Sequence, residues 1–143
     1  MTITGLHSFD HAIQIANLWL TDVAKATETE DDHARAHRLL RAWLHTLRDR
    51  LPVDVVAHLG AQLPTLLRGE FYEGWDPHAT TPAYGRTEFL DRFRQEAHLE
   101  GEDAENAENT VHAISQALYF HFSAGQLDRV LDALPHDLRT ILS

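Results

Sequence analysis

At 143 residues the chain has the length of one domain, and 43% hydrophobic residues suit a packed core rather than disorder. It contains no cysteine, which excludes disulfides, zinc–thiolate sites and cysteine nucleophiles. A formal net charge of −10 argues against nucleic acid or an anionic membrane surface as a partner.

The start, MTITGLHSFDHAI, lacks the basic segment and apolar run of a signal peptide. No apolar run approaches the ~20 residues that span a bilayer, so the expected compartment is the cytoplasm, without a membrane partner. Lys25 is the one lysine among twelve basic residues. That bias, with abundant Ala, Leu and Asp, suggests a bacterial chain from a GC-rich genome.

Ser8 is placed to cap a first helix whose apolar positions are Phe9, Ala12, Ile13, Ala16, Trp19, Leu20 and Val23. Ile15 and Leu18 widen that face, which suits a helix between two neighbours or at a subunit contact. Lys25 to Glu30 reads as a polar connection, and Asp31 or Asp32 as the cap of a second helix. In that helix the apolar residues fall at 36, 40, 43, 44, 47 and 51, a single stripe of helical period. His37, Arg41, His45 and Arg48 lie beside the stripe, on its polar side. Pro52 ends the helix at Leu51 and opens a short helix carrying Val55, Val56, Leu59 and Leu63. Pro64 repeats the step, with a third short helix through Leu66 and Leu67.

The loop DPHATTPAYGRT follows Trp75. Thr87 then caps a helix to about Leu99, with Phe89, Leu90, Phe93 and Ala97 inward. After the acidic run EGEDAENAEN, a helix from Glu105 to Phe122 is apolar nearly all round and is expected at the centre. Ser123 caps the next helix, with Leu127, Val130, Leu131 and Leu134, and Pro135 opens the last, with Leu138, Ile141 and Leu142. No segment shows strand alternation or hairpin turn chemistry. The expected fold is all-α, a bundle of about eight helices.

The step Leu63-Pro64-Thr65-Leu66-Leu67-Arg68 reappears as Leu134-Pro135-His136-Asp137-Leu138-Arg139. Sliding the chain by the same interval sets Leu40 on Val111, Trp43 on Ile114, Leu47 on Leu118 and Leu59 on Val130. This pattern predicts one domain made of two similar four-helix halves, 8–75 and 87–143, joined by a linker over 76–86.

Eleven histidines are present, and His7/His11 and His33/His37 have the i, i+4 spacing that can share a metal. Glu30 and His33 form one E-x-x-H motif, but a di-iron bundle needs a second copy and further inward glutamates. The expectation is therefore no metal and no cofactor. The serines sit in no G-x-S-x-G elbow, and no phosphate loop, G-x-G-x-x-G or H-E-x-x-H occurs. No catalytic residue is expected. Val55 to Leu66 resembles a helix-turn-helix, yet its second helix would bring one arginine and two glutamates to a polyanion. The candidate interaction surface is His37, Arg41, His45 and Arg48 together with Tyr72 and Trp75, since Arg, Tyr and Trp are enriched at binding hot spots. Its structural alternative pairs Arg48 or Arg50 with Glu73 or Asp76 and has Trp75 plugging the core edge.

The stretches LHTLRDRLP at 44–52, HLGAQLP at 58–64 and LLRGEFYEGW at 66–75, after an MTITGL start, resemble the bacterial domain-of-unknown-function 2267 family. The likeness is strong from Arg41 to Pro77 and looser beyond it, where the LP-x-x-LR step carries it. The resemblance implies a small cytosolic helical protein and no catalytic or ligand residues. The leading functional expectation is a non-enzymatic interaction or scaffold module, meeting a protein partner or itself, a homodimer included. The alternative is a ligand- or metal-binding sensor using the helix over 33–48. A weaker one is an enzyme with a pocket between the halves.

Overall fold

The computed structural model describes residues 3–79 and 83–143. Met1 and Thr2 of the MTITGL start and residues 80–82 of the expected linker lie outside the described residues. Among those residues there are nine α-helices and no strand, as the all-α expectation requires. They are α1 (His7–Ala26), α2 (His33–Arg50), α3 (Val53–Gln62), α4 (Thr65–Tyr72), α5 (Arg86–Glu96), α6 (Gly101–Glu105), α7 (Ala107–Tyr119), α8 (Asp128–Asp132) and α9 (His136–Leu142).

The proline steps are local in origin. Pro52, Pro64 and Pro135 each sit just before a helix, extended at φ −66, −65 and −66°. The ring fixes that φ, and the proline carbonyl accepts the first helical bond. Thus Arg68 N–H donates to Pro64 O at 2.8 Å and Arg139 N–H to Pro135 O at 3.0 Å. Asp32 caps α2, its Oδ1 accepting from Arg35 N–H at 3.0 Å.

Three other caps differ from expectation. Helix α1 begins at His7 after Leu6, so Ser8 lies inside its first turn. Helix α5 begins at Arg86, ahead of Thr87, and the cap comes from another helix: Arg86 N–H donates to Asp137 Oδ2 on α9 at 3.1 Å. Gly85 permits that approach, since a Cβ there would meet the same oxygen at 2.7 Å. Ser123 does not cap α8; its N–H donates to Gln126 Oε1 at 2.6 Å. The expected helix over 105–122 is also broken, with Asn106 (φ −91°, ψ 9°) separating α6 from α7.

The core centres on α2 rather than on α7. Helix α2 buries ten residues, among them Trp43, Leu44 and Leu47, and packs against α1, α4, α5 and α7. Trp43 is 2% exposed, and its Nε1–H donates to Ser115 Oγ on α7 at 3.0 Å. Ser115 passes its own proton to Val111 O at 2.9 Å, so every polar atom in this contact is satisfied. Helix α7 buries Val111, Ile114 and Leu118, and Phe120, which follows its last residue, is bare. Helix α1 lies along α7, with the Trp19 ring stacked on His121 at 4.6 Å and edge-on to Phe122 at 5.4 Å. His121 Nε2–H donates to Asp22 Oδ2 at 2.7 Å.

Candidate functional site

The expected interaction surface lies where α2 meets α4, and the structure shows what its residues touch. Glu70 on α4 binds two of the histidines. Its carboxylate accepts from His37 Nε2, and its backbone carbonyl accepts from His45 Nε2 at 2.7 Å. Arg41 forms a two-pronged pair with Glu73, at 3.0 and 3.2 Å. That hydrogen bond holds the Glu73 carboxyl below its ordinary range and raises the Arg41 guanidinium above its own. Arg48 reaches furthest in. Its Nη1 donates to Phe71 O at 2.9 Å and Glu73 O at 2.8 Å, and its Nε to Asp49 at 2.8 Å.

Helical period alone put all four residues on the polar side. In fact His45 is 6% and Arg48 5% exposed. They are buried because α4 ends over that side of α2 and its last carbonyls need donors. Tyr72 and Trp75 pack against each other at 5.4 Å and against the core edge. Tyr72 also lies over α3, where a Cβ on Gly60 would come within 2.6 Å of its ring. Arg50 takes no part; its Nε donates to Tyr84 O at 2.5 Å. Trp75 thus packs at the core edge as the structural alternative has it, but the arginine pairing differs: Arg41 takes the Glu73 carboxylate, while Arg48 binds the carbonyls of the turn and Asp49.

Two polar clefts open elsewhere. One, of about 490 Å³, lies between α2 and α5 and is lined by Thr46, Asp49, Tyr84, Glu88, Arg92 and Glu96. Its carboxylates are largely engaged: Glu88 accepts from Arg92 at 3.0 Å and Asp49 from Arg48 at 2.8 Å. Burial pushes the Tyr84 phenol up to about 12, and Arg92 stacks on its ring at 4.4 Å. The other, of about 440 Å³, lies beside the α1–α2 connection and is spanned by the Arg35–Asp103 pair at 2.8 Å. Among the described residues, no three His, Asp or Glu side chains gather closely enough to hold a metal ion. His7 and His11 stack at 6.1 Å on exposed helix.

The face of α1 and α7 is chemically the opposite. A shallow groove of about 640 Å³ runs between them, lined by Asp22, Lys25, Ala26, Ala113, Gln116, Ala117 and Phe120. Phe120 is 90% exposed and Leu18 55%. Sequence reasoning allowed a subunit contact on the first helix but expected the helix over 105–122 at the centre, so it did not foresee that Phe120 would be bare. The available signal was the width of the apolar arc on both helices, which exceeds what one neighbour can cover.

The profile of one family, described as Uncharacterized conserved protein (DUF2267), matches residues 16–141. The chain belongs to the DUF2267 family. No curated protein matches it. The family match contains the α2/α4 contact and the part of α1 that meets α7. It begins at Ala16, so exposed Leu6 and Phe9 precede it. Among the described residues no helix of this DUF2267 chain is long and apolar enough to cross a membrane.

Proposed function

We propose that this protein is a non-enzymatic interaction module that meets a protein partner through the α1/α7 face. The observation that carries the reading is Phe120, a large apolar side chain 90% exposed beside an alanine-lined groove. Apolar side chains exposed singly are ordinary, but one at the lip of an apolar groove marks a contact surface. The His37, Arg41, His45, Arg48, Tyr72 and Trp75 set contributes by holding α4 on α2. A sensor built on 33–48 would need those side chains aimed at a ligand, and each is already bonded or packed within the fold. An enzyme would draw on the α2/α5 cleft, whose Glu88 and Asp49 are neutralised by arginines. The reading includes a bacterial, cytoplasmic setting and no nucleic-acid partner, in keeping with the net charge of −10.

The test is native mass spectrometry of protein purified without a histidine tag. Masses matching the chain or its oligomers alone support the interaction reading. A reproducible added mass of a metal or small molecule overturns it in favour of the sensor.

The same proposal includes one domain of two repeated halves. Helices α1 to α4 pair in order with α5, α7, α8 and α9. Three observations support this. Buried residues match along the chain: Ala36 with Ala107, Leu40 with Val111, Leu47 with Leu118 and Leu67 with Leu138. The first helix of each half ends alike, with Glu28 at φ 57° and His98 at φ 54°. Packing is exchanged between the halves, α1 lying on α7 and α5 on α2. Fragments cut within 76–86 are therefore expected to stay unfolded singly and to gain helical circular dichroism when mixed. Independent folding of either fragment would count against the exchange.

A further inference from the structure

We draw no further inference here: the strongest candidate, the acidic cleft between α2 and α5, carries nothing, because its Asp49, Glu88 and Asp91 are already paired with Arg48, Arg92 and Arg94 and the unpartnered Thr46 Oγ1 is buried beyond the reach of solvent, so nothing in the structure shows what would occupy it.

Discussion

The α2/α4 contact and the α1/α7 face divide the protein's chemistry between them. The first holds the densest set of basic and aromatic side chains in the sequence. Its guanidiniums and imidazoles bind the acids and carbonyls of a neighbouring helix. Arg48 alone satisfies two backbone carbonyls and a carboxylate. The second holds three alanines, one glutamine, Asp22, Lys25 and a bare phenylalanine. Conspicuous side chains are conspicuous at the first because an internal polar contact needs donors in number. The second leaves its large apolar side chain, Phe120, in water. Polar richness in a sequence is thus a poor guide to which face is free.

Substitutions at the two regions should separate by size of effect. Phe71 on α4 is fully buried, and Phe71→Ala should cost about 3–5 kcal/mol in chemical denaturation by the lost burial and the cavity left. A cost under ~1 kcal/mol would mean that α4 is not part of the core. Arg48→Met keeps the stem but strands the carbonyls of Phe71 and Glu73, and should cost about 2–4 kcal/mol. Arg48→Lys should recover only part, because an ammonium lacks the planar fork that spans both carbonyls. Gly60→Ala forces the Tyr72 ring off α3, for about 1–2 kcal/mol. Phe120→Ser should leave the denaturation midpoint of dilute protein within ~0.5 kcal/mol of wild type, as its side chain is in water already. A larger loss there would mean that Phe120 is a core residue.

Titration sharpens the comparison. Burial pushes both Tyr84 and Tyr119 up to about 12. Unfolded tyrosine ionises near 10, so between about pH 10 and 12 the unfolded chain gives up protons that the folded one keeps. Stability should be constant below that window and fall as pH rises through it. The tyrosinate absorbance of these two residues should appear with unfolding; an early rise from either in the folded chain, tested with Tyr84→Phe and Tyr119→Phe, would contradict their burial. At the acid end the sign reverses. Glu73 is held below its usual 4.5 by Arg41. Its contribution is complete above that value and is lost as pH falls through the lower folded one. The pair is exposed at the glutamate, so Arg41→Gln should shift the melting curve little, and only above that range.

Much of the fold was legible, and the reasons are local. The stripe on α2, the stops at Leu51 and Leu63 and the helix starts after Pro52, Pro64 and Pro135 follow from side-chain period and a fixed proline φ. What misled the reading was tertiary. Thr87 is a good cap by type, but Asp137 from α9 reaches Arg86 first. His45 and Arg48 sit off the apolar stripe, yet α4 covers them. Helix α7 looked like the centre because its apolar arc is wide. It packs only part of that arc, and Phe120, which follows its last residue, is in water.

The sequence by itself determined that the chain is helical, where most helices begin and end, and which family it belongs to. Each of these depends on residues within a few positions of one another or on a linear pattern. Only the tertiary structure decided which polar side chains are consumed and which apolar ones are bare. A periodic face says that a helix must be covered, but not by what. Coverage depends on the partners that the fold brings from 25 to 99 residues away, as with His45 at Glu70 and His121 at Asp22.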